Sequence, residues 1–132
     1  MPLGGETVDV ADIDGLDHDG TADSSVGTAA ANFTSPSATV RTALKGHLVS
    51  FGLSITSTNA ITSTSGNTTN TTIFTLDAAY RPSEQRRVAI VVDGSAIAGG
   101  FIQTNGTVQV AVASHNIAAG AVLSLSDTWL MP

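Results

Sequence analysis

The sequence predicts an all-β fold: a small antiparallel β-sandwich, jelly-roll-like, preceded by an extended N-terminal arm. Three observations predict it. Apolar residues recur with period two from Val40 onward, no long segment has helical periodicity, and an Asn-Gly pair joins two apolar strands near the C-terminus.

The arm comes first. Residues 1–25 hold Glu6, Asp9, Asp12, Asp14, Asp17, Asp19 and Asp23 and no Lys or Arg. That is seven of the eleven acidic residues in a chain of net charge −6. The remainder carries four acidic side chains and all five basic ones, Arg41, Lys45, Arg81, Arg86 and Arg87. A segment so acidic and so poor in large apolar residues cannot bury enough surface to fold alone. Val8, Val10, Ile13 and Leu16 are spaced along it, as in an arm that docks on a partner. With Asp12, Asp14 and Asp17 they form the expected docking element. The Ala-rich stretch 26–33 and Ser35-Pro36-Ser37 read as a linker, because Pro36 pushes its neighbour towards extended geometry. The expected boundaries are thus an arm and linker over 1–38 and a sandwich domain over 39–132.

Strands follow. Val49, Phe51, Leu53 and Ile55 alternate with Ser50, Gly52, Ser54 and Thr56. Residues 56–72, rich in Thr and Ser, read as two polar strands joined around Gly66-Asn67. A Thr array of this kind could also order water at an ice surface, but a single irregular stretch supports that weakly. Ile73–Leu76 is a short strand, and Val88–Val92 is a run with both faces apolar. Asn105-Gly106 is the preferred pair for a two-residue type I′ turn. That turn would set Phe101 opposite Val110 and Gln103 opposite Val108, with Phe101, Val108, Val110 and Val112 on one face. Ala121–Leu125 is the expected final strand, followed by Trp129. Gly94, Gly99 and Gly100 are read as strand-connecting positions.

Composition restricts the function classes. Only 12% of residues are charged, against about 25% in an ordinary soluble domain. Hydroxyls and amides take over the polar surface. Nucleic-acid binding would need clustered Lys and Arg, so no nucleic-acid partner is expected. No window approaches the ~20 apolar residues of a membrane span. Met1 to Glu6 has neither a basic nor an apolar signal region, so synthesis and folding in the cytoplasm are expected. The Asn-x-Thr sequons at Asn32, Asn67, Asn70 and Asn105 then read as chance in a Thr-rich chain. With no cysteine and few aromatic residues, a small core of Val, Ile, Leu and Ala is marginal alone, and oligomerisation is the common remedy.

Catalytic constellations are weakly represented. His18, His47 and His115 lie in no nucleophile or metal motif. Asp77, Glu84, Asp93 and Asp127 are the body's candidates for a glycosidase pair, but carbohydrate enzymes usually add aromatic platforms. The alternating Asp12, Asp14, Asp17 and Asp19 resemble the start of a calcium loop, with Asp23 at its twelfth position. The glycine is misplaced, so a solvated arm is the preferred reading and no metal or other cofactor is expected.

One pattern is more specific. Ile73-Phe74-Thr75-Leu76 leads into Tyr80-Arg81-Pro82-Ser83. Ile102-x-Thr104-Asn105-Gly106-x-Val108 and Leu123-Ser124-Leu125 follow in order. Over residues 45–130 this resembles bacteriophage tail-fibre and virion-surface proteins. Those carry Leu-Pro-x-Gly-Tyr-Arg-Pro-Ser at the first element, where Asp77 and Ala79 stand here. The resemblance implies a β-sandwich that assembles as a homotrimer on a virion, structural or receptor-contacting and not an enzyme. Tyr80, Arg81 and Pro82 are then a sandwich corner or a subunit interface, with Arg81 pairing to Asp77 or to a neighbouring subunit.

No heptads or repeated strands of a fibre shaft are present. The expected role is therefore a decoration or head-fibre protein, docked by its arm on the major capsid protein or another virion protein. The runner-up is a tail or baseplate receptor-binding protein touching a host surface glycan. A carbohydrate-active enzyme fragment is the third reading.

Overall fold

The computed structural model describes residues 25–131. Eight strands account for most of them: β1 (Gly27–Ala29), β2 (Phe33–Ala43), β3 (Leu48–Ser57), β4 (Asn67–Leu76), β5 (Arg86–Val92), β6 (Ala96–Ile102), β7 (Thr107–Ala113) and β8 (Val122–Leu130). A single 3-10 turn, Ala78–Tyr80, lies between β4 and β5. All pairings are antiparallel, in one sheet of order β1-β4-β7-β6-β5-β8-β3-β2.

The two edges of that sheet, β1 and β2, are consecutive in sequence and touch. A tight turn joins them, with the Phe33 N–H donating to the Ala30 carbonyl at 3.2 Å. The sheet therefore curls into a nearly closed, sandwich-like barrel. The pairs β3–β8, β4–β7 and β5–β6 are nested, as in a ribbon rolled on itself. The expected all-β fold is what the chain adopts.

Alternation sets which residues face inward. Val49, Phe51, Leu53 and Ile55 of β3 are buried, as are Val88, Ile90 and Val92 of β5. Phe51 is central: its ring stacks on Phe74 at 6.1 Å and meets Trp129 at 6.2 Å. Trp129 belongs to β8, which runs to Leu130 and so extends past the expected end at Leu125. Its position is fixed by the indole N–H, which donates to the Tyr80 carbonyl at 3.1 Å.

Three expectations need correction. The stretch 26–38, read as a linker, is part of the sheet. Val26 is fully buried, and Gly27 lies so close to β4 that a Cβ there would sit 2.2 Å from the Thr75 carbonyl oxygen. The small residues are there for close approach of two strands. Pro36 sits beside a register shift in edge strand β2, where a missing N–H is tolerated. The expected domain start at residue 39 thus falls inside β2, while residues 1–24 lie outside the described residues.

The second correction concerns 56–72. Only β4 is a strand there, and residues 58–66 cross between β3 and β4. The turn with positive φ at both central residues is Ser65-Gly66, where Thr64 and Asn67 exchange hydrogen bonds. Thr69 and Asn70 then interrupt the register of β4, so its threonines form no regular array.

The third concerns the hairpin at Asn105-Gly106. The Gly106 N–H donates to the Gln103 carbonyl, and the Gln103 N–H to that of Thr107. Gly106 has φ +89°, whereas Thr104 and Asn105 are not in the left-handed region. This is a three-residue loop closed by a glycine bulge, not a type I′ turn. The extra residue moves the register by one: Phe101 pairs with Gln109 and Ile102 with Val108. A one-residue shift reverses the faces. Ile102 is therefore fully buried and Phe101 points outward, against the expected grouping of Phe101 with Val108 and Val110.

Candidate functional site

Two places on the described residues combine unusual exposure or geometry with chemistry. The first is the outer face of β5, β6 and β7. Outward positions on these strands are Arg87, Ala89 and Val91; Ile97, Gly99 and Phe101; and Gln109 and Val112. Val91 stands opposite Ile97, and Gly99 lies between Ala89 and Val112 across the two pairings. Ile97 is 62% exposed and Val112 53%.

Val112 is directed outward by the register shift of β7 opposite Gly99/Gly100, which leaves Val110 and Ala111 both buried. Its side chain lies over Gly99, where an added Cβ would come within 2.7 Å of Val112 Cγ2. The result is a shallow groove of about 700 Å³ floored by Ala89, Ala98 and Gly99. Its one charged lining residue is Arg87, whose guanidinium stacks 5.7 Å from the Phe101 ring. A cation held over an aromatic face keeps the rim polar without breaking the apolar floor.

Part of this face is visible in the order of the residues. The run Val88–Val92 is apolar on both sides, as noted, although the inner side alone would fill the core. The β6 contribution was hidden because Gly99 and Gly100 resemble a connection. They lie within β6 instead, and at Gly100 a Cβ would sit 2.0 Å from the Gln109 carbonyl oxygen.

The second place is the corner after β4. It contains Tyr80, Arg81 and Pro82. The backbone turns through Ala78–Tyr80, the Tyr80 carbonyl receives the Trp129 indole, and Pro82 is buried. Arg81 Nε donates to the Leu76 carbonyl at 3.0 Å, over Gly106. The Leu76 N–H in turn donates to the Gly106 carbonyl at 2.9 Å. The quoted Tyr-Arg-Pro and Thr-Asn-Gly motifs are therefore one structural unit: the arginine of one clamps the glycine turn of the other. Asn105 tightens the turn from outside, its Oδ1 accepting the N–H and hydroxyl of Thr107.

The corner borders a cleft of about 400 Å³ lined by Leu48, Pro82, Ser83, Glu84, Arg86, Thr128, Trp129 and Leu130. Arg86 is held by Asp127 through two contacts, Nε–Oδ2 at 2.9 Å and Nη2–Oδ1 at 3.2 Å. The hydrogen bond to Asp127 raises its pKa above the usual value, against a smaller opposing effect of burial.

The remaining candidates are dispersed. Asp127 is committed to Arg86, while Asp93 accepts the Val122 N–H at the opposite end of the barrel. His47 and His115 are exposed at opposite ends too. No group of three His, Cys, Asp or Glu able to hold a metal occurs among the described residues. No helix among the described residues is long and apolar enough to cross a membrane. The arm residues Val8, Val10, Asp12, Ile13, Asp14, Leu16 and Asp17, together with Asp19 of the calcium-loop pattern, lie outside the described residues. No protein-family model matches the chain, and no curated protein matches it.

Proposed function

We propose that this chain is a non-enzymatic structural protein of a bacteriophage virion. In this reading it is a homotrimeric decoration or head-fibre protein on the capsid surface, docked there through its acidic N-terminal segment. The observation that carries the assembly part is the outward apolar face around Ile97, Gly99 and Val112. Contiguous apolar surface in mid-sheet costs solubility unless another surface covers it, and a second copy of the chain satisfies that need symmetrically. The low charge content favours the same use, because few ionic groups must be desolvated when copies meet. The virion part rests on the resemblance of the Tyr80–Ser83 and Ile102–Val108 elements, which the fold joins at one corner.

Assembly is tested by sedimentation of the wild-type chain and of Ile97→Lys/Val112→Lys. The wild type sediments as a trimer at micromolar concentration. The double variant sediments as a monomer with an unchanged far-ultraviolet circular dichroism spectrum. A monomeric wild type, or a variant that still assembles, removes the support of this face. The virion assignment is tested by immunogold imaging of parent particles: label on the capsid supports it, and label at the tail tip replaces it with receptor binding.

A further inference from the structure

We infer that Asn105 is a modification site. It converts spontaneously to aspartate and isoaspartate through a cyclic imide, at a rate set by how often the Arg81 clamp lets its loop open.

The chemistry singles out this position. A cyclic imide forms when the main-chain nitrogen of the next residue attacks the asparagine side-chain carbon. A side chain on that next residue obstructs the closure. Asn105 is exposed and precedes Gly106. The other asparagines, Asn32, Asn59, Asn67, Asn70 and Asn116, all precede a residue that carries a side chain. In the step itself, the deprotonated Gly106 nitrogen bonds to Cγ of Asn105. The bond from Cγ to Nδ2 breaks, and ammonia leaves with the proton that Gly106 lost. Water then opens the imide. Attack at the side-chain carbonyl gives aspartate, and attack at the main-chain carbonyl gives isoaspartate. Either product carries one more negative charge than the amide.

The closed loop forbids this step for a geometric reason. The electron pair left on a deprotonated amide nitrogen lies where the N–H bond was. The Gly106 N–H points at the Gln103 carbonyl, 2.9 Å away, so the pair is aimed at Gln103 and not at Cγ of Asn105. The carboxamide is held as well, its Oδ1 accepting the Thr107 N–H at 3.1 Å and the Thr107 hydroxyl at 2.8 Å. Turning the Gly106 peptide towards it is blocked by Arg81. A Cβ on Gly106 would lie 2.6 Å from Arg81 Nε, which itself donates to the Leu76 carbonyl at 3.0 Å.

Reaction therefore needs an opening in which the Gly106–Gln103 bond breaks and Arg81 leaves Leu76. The first costs about a factor of five in population, and the second, from a charged donor, about a factor of ten or more. Folding thus slows conversion by about fiftyfold. The change runs one way. Isoaspartate adds a main-chain carbon to a loop whose Gly106 carbonyl meets the Leu76 N–H at 2.9 Å, so the altered chain no longer fits the closed corner. Each conversion is a covalent record that the corner had opened.

The full chain and a synthetic peptide of residues 102–109 are incubated side by side in mildly alkaline buffer. Mass spectrometry of proteolytic fragments locates each asparagine that has gained the mass of acid over amide. Asn105 should convert before any other asparagine, about fiftyfold more slowly than in the peptide. Arg81→Ala, with its circular dichroism spectrum unchanged, should convert about tenfold faster than the wild type. Hydrogen exchange of the Gly106 amide in the wild type reads the same opening without any substitution. Its protection should match the slowing to within about threefold. Conversion as fast as in the peptide overturns the gate, as does slowing that departs from the Gly106 protection by more than about tenfold. First conversion at another asparagine, or none at Asn105 over several hundred peptide half-times, overturns the site. An unchanged rate in folded Arg81→Ala overturns the role given to Arg81.

Discussion

Gly106→Ala should be among the most damaging single-methyl additions in this protein, and its cost can be worked from the corner geometry. Gly106 adopts φ +89°, a region that costs an L-residue about 1–2 kcal/mol. The added Cβ would also sit 2.6 Å from the Leu76 carbonyl oxygen and 2.6 Å from Arg81 Nε. The carbonyl is backbone of β4 and cannot swing aside. Relief requires opening either the Leu76 N–H bond to Gly106 or the Arg81 bond to Leu76. The first is worth about 1 kcal/mol, and the second, from a charged donor, about 1.5–3 kcal/mol. The total is roughly 2–3 kcal/mol by the first route and roughly 2.5–5 kcal/mol by the second.

Urea unfolding followed by the fluorescence of Trp129, the only tryptophan, measures it. Asn105→Ala is the control. It removes the two Oδ1 contacts to Thr107 but demands no change of backbone region, so about 0.5–1 kcal/mol is expected. A loss below about 1 kcal/mol for Gly106→Ala would refute the clamped-glycine argument. Equal losses for the two variants would instead indicate a type I′ turn with both residues left-handed.

Other outcomes follow from the packing. Phe51→Ala removes the ring shared by Phe74 and Trp129 and should cost about 3–5 kcal/mol, with a red-shifted Trp129 emission in the folded state. Thr68→Val deletes the buried hydroxyl that donates to the Val110 carbonyl at 2.7 Å, and a loss of about 1–2 kcal/mol in urea unfolding is expected despite the conserved volume. A double-mutant cycle on Arg86 and Asp127 should give about 0.5–1 kcal/mol of coupling, because the Arg86 side chain is 40% exposed and solvent screens the pair. The pKa of Arg86 is raised on folding. Its contribution is therefore fully present below the ordinary arginine value and is lost only as pH rises through the higher folded one. The coupling measured at pH 6 and pH 9 should be the same.

Much of the fold was legible because alternation is a local property. Val49 to Ile55 and Val88 to Val92 show their buried face in the order of their side chains, whatever they pack against. The charge division between residues 1–25 and the rest is equally a matter of sequence alone, as is the proximity of the Tyr-Arg-Pro and Thr-Asn-Gly motifs to strand ends.

The tertiary structure decided the rest. Asn105-Gly106 is compatible with two turns, and the one adopted is the one that lets Gly106 sit under Arg81 and against Leu76. That contact brings together residues about thirty apart, and it fixes the register that sends Ile102 inward and Phe101 outward. Likewise, Gly27, Gly99 and Gly100 resemble breaks in a sequence. They prove to be strand positions because neighbouring backbones and side chains approach too closely for a Cβ. The apolar outer face shares this cause. Local pattern says that Val91 and Val112 lie in strands, but only the closed order of the strands, with Ile97 of β6 between them, decides which of their faces the core leaves outside.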